Sequence, residues 1–437
     1  MSTFDNFTVH PYKYLDICTW EETSKPRISF VDSFDYLDGK KTLPSAVEGR
    51  PCGFLPKLMG AEDVEEDLRI EPYADYKSDF FSAFVVRASQ MTKLEGRCGF
   101  FTPYVWMFIQ SYEKLRQYLY SQATLETLIQ FEYSAFEEAT VPVCTFTFAK
   151  RHVNKKGNYL RLVDFRGGME VQRQKTLEAI VNHNCGFYYE QSSDNFAKIP
   201  GSPVAYWVSK NLFSAFEKGR SLGDLAEPRG GLSTTDNARF LRYWYEVRER
   251  NITFDVNDTL ETEKRNETWA PIAKGGDYRK WYGNNEYVVK WYHNGAEIKH
   301  HVVNNPNDPN TKSWSRRIFN YTYYFHPCVT WSGISSGNLS VRMADHQIFG
   351  GGGKALFSND NLEFYCALLN SCVALRCLEF ISPTLNYESG HIAKIPVLPE
   401  NTKMKTINDI TDSCRKLSKN DWDAFETSWD FKKHPLV

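Results

Sequence analysis

The 437-residue chain contains ten cysteines but no Cys-x-x-Cys pair, and it has no uninterrupted apolar run approaching 18 residues. The cysteine spacing indicates neither a zinc site nor a disulfide framework. The missing apolar run excludes a membrane-spanning helix, and the start, MSTFDNFTVHPYKY, has no apolar stretch of the kind found in signal peptides. These absences predict a cytoplasmic protein with no metal and no membrane partner.

The sequence also lacks a strong net charge, because 52 Lys and Arg face 54 Asp and Glu and leave a formal charge of −2. Binding to nucleic acid must therefore come from a local patch. Between positions 264 and 317, ten Lys and Arg oppose five Asp and Glu, so this segment carries 10 − 5 = +5 and the remainder about −7. The asymmetry predicts a charged binding face on an otherwise acidic body.

The composition is that of a folded protein with two or three domains, since 42% of the residues are hydrophobic, 15% are aromatic and 24% are charged. Residues 1–72 predict no function: short strand-like pieces alternate with prolines, and the acidic run Glu62–Asp67 is expected to be solvated.

A regular pattern of apolar elements begins at Tyr76. Phe80, Phe84 and Ala88 lie on one face of the first predicted helix, with Phe81, Val85 and Ala88 beside them, so this helix is predicted to be buried. Apolar strands on either side of a helix indicate a doubly wound α/β sheet that is buried on both faces. The predicted elements are a helix over 79–91, a turn at 95–96, a strand over 98–102, a helix over 111–122, and strands over 125–131 and 143–149.

The same region carries a resemblance. The run SDFFSAFVVRASQMTKLEGRCGFFTPYVWM, followed by YEKLRQYL and LETLIQFEYSAFEEATVPVCTFTFAK, resembles the second half of the catalytic domain of amino-group DNA methyltransferases. NFAKIPGSPVAYWVS (195–209) and LSKNDWDAFETSWDFKKHPL (417–436) resemble the adenine-specific methyltransferases of BREX phage-defence systems. The resemblance covers about residues 75–437. It implies an adenine-N6 DNA methyltransferase that uses S-adenosylmethionine, acts on double-stranded DNA and works with other BREX subunits.

Two motifs of that family are missing. The family clamps the extruded base with an Asn/Asp-Pro-Pro-aromatic loop and holds S-adenosylmethionine on a glycine-containing strand and loop, and neither occurs in this sequence. The run FGGGGKALF (349–357) comes after the catalytic half and is interpreted as an ordinary glycine turn. The sequence therefore predicts a partial chain that does not bind S-adenosylmethionine by itself, with no catalytic residue assigned.

Asp79 and Phe80 are the two residues that match a helix near the cofactor pocket of the family. They are the candidate cofactor contacts. The alternative is structural: an acid at a helix N-terminus, which the helix dipole favours, followed by a core phenylalanine.

From about Lys210 the chain has more turns, amides and exposed aromatics, and the resemblance implies a DNA target-recognition domain. The segment Gly231-Leu-Ser-Thr-Thr-Asp-Asn237 stands where the family has Gly-x-x-Thr-Gly-x-Asn. The alternative is a polar turn that caps a helix beginning near Asn237. The candidate phosphate or sugar contacts are Arg229, Thr234, Asn237 and Arg239.

The stretch KGGDYRKWYGNNEYVVKW (274–291) combines cations, flat aromatics and paired amides. Cations neutralise phosphates, aromatics stack on bases, and asparagine hydrogen-bonds to base edges. The alternative is an amphipathic strand and turn with a solvated basic edge. The predicted DNA-reading residues are Arg279, Lys280, Trp281, Tyr282 and Asn284, followed by Arg316 and Arg317.

In the last third of the chain, the sequence predicts strands on both sides of a turn at 335–338. It also predicts one apolar helix over 361–380, whose Cys372 is expected to be buried. Gly390 is expected to turn the chain, and Ile392 and Ile395 to pack on the core.

The sequence thus predicts an α/β protein, with the second half of a doubly wound methyltransferase sheet followed by an α+β target-recognition domain. Two alternatives remain: a non-catalytic DNA-binding or interaction module, and a non-functional remnant whose half-sheet leaves an open apolar edge. The predicted domains are an unassigned front segment (1–72), the C-terminal half of a Rossmann-like methyltransferase domain (73–150), a connecting region (151–209), the recognition domain (210–400) and the start of a C-terminal region (401–437).

Overall fold

The computed structural model describes residues 13–16 and 29–32 of the backbone, then 73–133, 135, 141–335, 337–382, 386–398, 403–434 and 436. The acidic run Glu62–Asp67 lies outside these residues. The chain divides into two compact units, Met1–Met91 and Thr92–Val437. In the first unit, β1 (Lys13–Asp16) pairs antiparallel with β2 (Ser29–Asp32).

Helix α1 (Phe80–Met91) closes the first unit and confirms the predicted helix. The prediction for its buried residues holds in part: Val85 is buried as predicted, together with Ser82, Ala83, Val86 and Ser89, whereas Phe80 is 39% exposed. Hydrophobic periodicity identifies a helix well, but it does not decide which of two adjacent apolar stripes faces the interior.

The second unit begins with a five-stranded sheet. Its strand order is β3-β5-β4-β6-β7. Strand β5 runs antiparallel to both of its neighbours, β4 and β6 are parallel, and β7 is antiparallel to β6. The elements are β3 (Arg97–Pro103), α2 (Glu113–Gln122), β4 (Thr124–Gln130), β5 (Val143–Ala149), β6 (Lys156–Arg161), α3 (Gly168–Val181) and β7 (Tyr188–Ser192).

The predicted helix and three strands of this sheet are confirmed to within about two residues, but the sheet is mixed, and it is not buried on both faces throughout. Among the described residues, strand β3 pairs only with β5 and lies at an edge of the sheet. Phe101 on this strand is 55% exposed, while Cys98 and Thr102 are buried. Two further strands, β6 and β7, extend the sheet into the segment that the sequence assigned to a connecting region.

We call the chain from Lys210 onward the recognition half, after the recognition domain that the sequence predicts there. Its described residues contain two four-stranded sheets, ordered β10-β12-β11-β15 and β14-β13-β16-β9, and a short pair of β8 with β17. The strands are β8 (Arg220–Ser221), β9 (Glu227–Arg229), β10 (Leu241–Tyr243), β11 (Trp269–Ala273), β12 (Tyr287–Lys290), β13 (Cys328–Ser332), β14 (Val341–Ala344), β15 (Ile348–Phe349), β16 (Gly353–Phe357) and β17 (Pro396–Val397). The helices are α4 (Lys210–Lys218), α5 (Asn237–Phe240), α6 (Tyr292–Val303), α7 (Leu362–Asn370), α8 (Cys372–Ile381), α9 (Ser389–Ala393) and α10 (Met404–Trp422).

One hydrophobic core joins the two four-stranded sheets. It contains Trp291, Tyr324 and Phe349, all nearly fully buried. The predicted strand pair around residues 335–338 is confirmed, because β13 and β14 pair antiparallel with Trp331 opposite Val341. The α/β fold class predicted from the sequence is confirmed.

The apolar helix predicted over 361–380 is in fact two helices, α7 and α8, bent by 68°. Ser371 causes the break, because its hydroxyl accepts a hydrogen bond from the Ala374 N–H at 3.3 Å and so caps α8. The break leaves Cys372 exposed, against the prediction. Among the described residues no single helix is long and apolar enough to cross a membrane, and α7 with α8 meets that standard only as a bent pair.

Gly390 lies inside the short helix α9, so it does not turn the chain as predicted. Ile392 and Ile395 are fully buried, which confirms their packing role. Within the described part of the chain, eight cysteines are free thiols, and no three His, Cys, Asp or Glu side chains gather in a group that could hold a metal ion.

Candidate nucleic-acid interface

A cleft lies at the carboxyl ends of the parallel strands of the five-stranded sheet. Gln130 and Arg161 end β4 and β6, and Tyr104 follows the last residue of β3. The cleft has a volume of about 610 Å³, and its other wall comes from Gly337 and from α8 of the recognition half. The carboxyl edge of such a sheet is the usual position for a ligand site in α/β proteins.

The lining of this cleft includes four aromatic side chains, one cation and one acid. The Arg161 guanidinium lies 5.3 Å from the ring centre of Trp207, and the Phe108 ring meets Trp207 edge-on at 5.9 Å. Burial raises the pKa of the Tyr104 hydroxyl, which keeps it neutral and able to donate a hydrogen bond. Gln130 is buried and accepts a hydrogen bond from the Tyr206 hydroxyl at 2.9 Å. The lining suits a planar, polar-edged ligand.

Arg279 is tied to the C-terminal helix α10. Its guanidinium is 2.5 Å from the Asp421 carboxylate and lies over the Trp422 ring at 5.0 Å. Its Nε also donates to the Tyr282 carbonyl at 3.0 Å, so the side chain stabilises the loop in which both residues lie. This predicted DNA contact thus has an intramolecular acid partner.

Lys280 and Tyr282 are also engaged within the protein. The Lys280 amine donates to the Asn370 carbonyl at the end of α7, at 2.9 Å. The Tyr282 hydroxyl accepts from the Lys419 amine at 3.1 Å, and the same amine lies 4.7 Å from the ring centre. The Ser418 hydroxyl donates to the carbonyls of both loop residues at 3.0 and 3.1 Å. Helix α10 therefore holds this loop in place.

Trp281 and Asn284 support the loop backbone. Both are non-glycine residues with positive φ, at 73° and 58°. Trp281 exchanges backbone hydrogen bonds with Val341 and Met343 at 2.8 and 3.0 Å. Asn284 is 8% exposed, and its side-chain amide donates to the Asp277 carbonyl at 2.9 Å. A buried amide in this position stabilises the loop more directly than it reads a base edge.

The predicted basic patch is largely paired inside the molecule. Arg317 binds Asp308 at 2.5 Å, and Arg239 and Lys290 share Glu297 at 2.9 and 2.6 Å. Arg229 is bound by Glu227 and stacks on Tyr323. Arg316 is exposed and makes no ion pair with a described residue. The DNA role of these cations stays a prediction, and their pairing reduces the charge available to DNA.

A second, smaller cavity lies where three segments meet, at the ends of β11 and β15 and in the loop after β9. We call it the glycine junction; it has a volume of about 360 Å³ and is lined by Leu232, Ser233, Thr234, Thr235, Asn237, Lys274, Gly351 and Gly352. Glycine is required here because a Cβ on Gly231 would lie 1.9 Å from the Phe349 carbonyl oxygen, and one on Gly353 would lie 2.3 Å from that of Ala273. The glycines of the run 349–357, a run interpreted from the sequence as an ordinary turn, let these backbone segments approach each other closely.

Thr234 and Asn237 meet at this junction, and their contact with DNA stays a prediction. The buried Thr234 hydroxyl donates to the Asn237 side-chain oxygen, which also accepts from the Lys274 amine at 3.4 Å. The alternative of a capped helix is also present, since Asp236 accepts from the Arg239 N–H at 3.0 Å. Lys274 was not among the predicted contacts, although it begins the basic run and precedes Gly275 and Gly276.

Asp79 and Phe80 lie at the start of α1, and both are exposed. Two exposed side chains on one helical turn do not enclose a cofactor by themselves. Asp79 and Phe80 thus do not form a cofactor site by themselves, and the two assignments remain predictions.

The five-stranded sheet and the β-rich half are similar to parts of known restriction–modification proteins. A family model described as Eco57I restriction-modification methylase matches residues 59–136. The structure of the Type IIL restriction-modification enzyme MmeI in complex with DNA has the same fold, with a TM-score of 0.51 at 13% identity, and covers 85% of this chain and 49% of that one.

Two curated relatives are both adenine-specific methyltransferases. The adenine-specific methyltransferase PglX of Lacticaseibacillus casei (strain Zhang) is 34% identical over 426 residues, and the adenine-specific methyltransferase BrxX of Escherichia coli O9:H4 (strain HS) is 32% identical over 391. The alignments cover 96% and 87% of this chain but 34% and 30% of the relatives, so the chain spans about a third of their length. The resemblance inferred from the sequence is confirmed: the chain is related to the PglX and BrxX methyltransferases.

Proposed function

We propose that this chain is the rear of the catalytic sheet and the DNA target-recognition part of an adenine-N6 DNA methyltransferase of the PglX type, acting in BREX phage defence. The observation that carries the proposal is one alignment to PglX that extends through both the sheet and the recognition half. The proposed partners are double-stranded DNA and other BREX subunits. The MmeI structure contains DNA, which supports the same partner.

The chemistry of the proposed reaction requires the target adenine to leave the duplex. S-adenosylmethionine would supply the methyl group in the intact protein. The cleft at the carboxyl edge of the sheet is the proposed place for the extruded base, because Trp207 and Tyr104 offer flat surfaces and Gln130 offers a polar edge. This chain alone is not expected to transfer methyl groups, since no Asn/Asp-Pro-Pro-aromatic tetrapeptide is present.

Two measurements on the purified chain test this proposal. Fluorescence anisotropy with a labelled duplex should show binding that weakens as salt rises. A tritiated-methyl assay with the same duplex should remain at background. Absence of duplex binding would contradict the recognition role, and turnover above background would contradict the assignment as a non-catalytic portion.

A non-catalytic DNA-binding or interaction module, acting with other defence subunits, is the second candidate. The missing clamp motif favours it. Both candidates bind duplex DNA, so the discriminating measurement is methylation by a mixture of this chain with the catalytic front half of a PglX protein. Restored methylation supports the methyltransferase portion, whereas DNA binding without restored methylation supports the module.

A further inference from the structure

We propose that the glycine junction is a binding site for one phosphodiester of the DNA backbone, with Lys274 as its cation. The inference rests on the proposed function, because it assumes that the chain binds DNA. It adds Lys274 and a single shared phosphate position to the contacts that the sequence predicted at Thr234 and Asn237.

The donors at the junction converge on one small cavity. The Lys274 amine uses one of its three hydrogens for the Asn237 side-chain oxygen, 3.4 Å away. That oxygen is also bound by the Thr234 hydroxyl, which orients the Asn237 amide with its N–H₂ group on the other side. Ser233 adds a hydroxyl to the same lining. An ammonium, an amide and a hydroxyl together match the oxygens of a phosphate.

The charge at the junction is not balanced by an acid. Among the described residues, no carboxylate forms an ion pair with Lys274, whereas Arg279, Lys290 and Arg317 each face one. Burial also lowers the pKa of the Lys274 amine. A half-buried cation without an anion gains more from a bound phosphate than an exposed lysine does, because less of its charge is screened by water.

An adjacent cavity provides a contrast. It has a volume of about 370 Å³ and shares Ser233 and Gly351 with the junction. Its cation, Lys354, is 14% exposed and bound to Glu388 at 2.8 Å. The two cavities are similar in size and share lining residues, but only the one that contains Lys274 has an unbalanced positive charge. The phosphate is therefore assigned to the glycine junction.

The shape of the junction fits the same ligand. Gly351 and Gly352 form part of the lining and carry no Cβ, so an oxygen of the phosphate can approach the backbone closely. The Lys274 side chain lies along Gly350, where a Cβ would be 3.5 Å from its Cδ.

The test uses the full chain, a labelled duplex and a salt series from ~50 to ~200 mM. For the wild type, log Kobs falls linearly with log salt, and each phosphate contact contributes about 0.9 to the slope. Lys274→Gln should reduce the slope by about that amount and weaken binding at low salt, and Lys274→Arg should restore most of the slope. Lys312→Gln is the matched control, because among the described residues this exposed lysine of the same segment bonds only the Pro309 carbonyl.

Each outcome is decisive. A wild-type chain that binds no duplex contradicts the proposed function itself. A wild type that binds, with Lys274→Gln keeping the wild-type slope or Lys312→Gln losing as much, contradicts the phosphate site alone. If Lys274→Gln does not fold, Asn237→Ala replaces it: this variant keeps the lysine and the glycines, and unchanged affinity in it would overturn the inference.

Discussion

At the scale of single residues, a cation is more readily available to DNA when no carboxylate or aromatic ring of the protein already holds it. Arg279 and Arg317 each face a carboxylate at 2.5 Å, and Lys299 lies over the rings of Trp314 and Tyr321 at 4.9 and 5.4 Å. A cation held in this way must leave its partner before it can bind a phosphate. Lys274 has no such partner among the described residues, so its charge is available at once.

The pH dependence of DNA binding should therefore reveal the loss of the Lys274 charge at a lower pH than the loss of charge on exposed lysines. Burial lowers its pKa below the usual 10.5, so it loses its proton first as pH rises. Its contribution to affinity is complete below the lowered pKa and is lost as pH rises through that value. Anisotropy titrations at constant ionic strength should show this early decline in the wild type and not in Lys274→Gln. Identical alkaline profiles would contradict the prediction.

Asp421→Asn should strengthen DNA binding if Arg279 contacts DNA as predicted. The substitution removes the acid that holds the guanidinium and adds one unit of positive charge. We expect tighter duplex binding and a salt slope steeper by about 0.9, at the loss of roughly 0.2–1 kcal/mol of stability from a half-exposed ion pair. Asp412→Asn on the same helix, whose carboxylate pairs with Lys416, is the control. Equal effects of the two substitutions would assign the change to net charge alone.

These pairs also show what the sequence could and could not reveal about the site. The excess of cations between 264 and 317 was visible by counting, but the partner of Arg279 is 142 positions away. The Thr234–Asn237 contact spans three positions and was predictable as a local polar turn. Lys274 was missed because its burial comes from packing of two glycine-rich segments that are distant in the chain.

At the scale of elements, strands were predicted more accurately than helix ends and buried faces. The strand Val143–Ala149 was located to the residue because its apolar run ends in turns on both sides. The break between α7 and α8 was missed, since one serine cap interrupts an apolar run without changing its composition. The strand directions were not predictable from apolar content, because β5 pairs antiparallel with two strands that are themselves parallel.

Arg116 on α2 connects this helix to two neighbouring segments behind the cleft. It is fully buried, and its guanidinium donates to the carbonyls of Trp106, Ile109 and Gly201 at 2.6, 2.9 and 2.7 Å. Arg116→Met would leave three carbonyls without this partner, and each unpaired buried acceptor costs about 1–3 kcal/mol. We expect a loss of roughly 3 kcal/mol or more in the free energy of unfolding, measured by urea denaturation.

Arg173→Met is the matched control for that change, since Arg173 on α3 is exposed and its one ion pair with a described residue is with Glu170. It should alter stability by less than about 0.5 kcal/mol. A similar loss in both variants would show that the carbonyl contacts of Arg116 contribute little.

At the scale of the whole molecule, the sheet and the recognition half belong to one compact unit, Thr92–Val437. Helix α10 adds long-range contacts to this unit, because it binds the loop that contains Arg279 and Tyr282. Shared contacts of this kind couple the unfolding of the connected segments. We expect one cooperative thermal transition for this unit, and a broad, non-cooperative melt would instead favour the non-functional remnant.

The effect of each ligand on Tm tests whether this chain binds DNA, the cofactor or both. A ligand that binds only the folded state stabilises it by RT ln(1 + [L]/Kd), about 2.7 kcal/mol at a hundredfold excess over Kd. Duplex DNA should therefore raise the Tm of this chain by a few degrees, and less so as salt rises. S-adenosylmethionine should leave Tm unchanged, because Asp79 and Phe80 are exposed and the family's cofactor motif is absent. A cofactor-induced rise, abolished by Asp79→Asn with Asp75→Asn unaffected, would instead show that this chain retains a cofactor site.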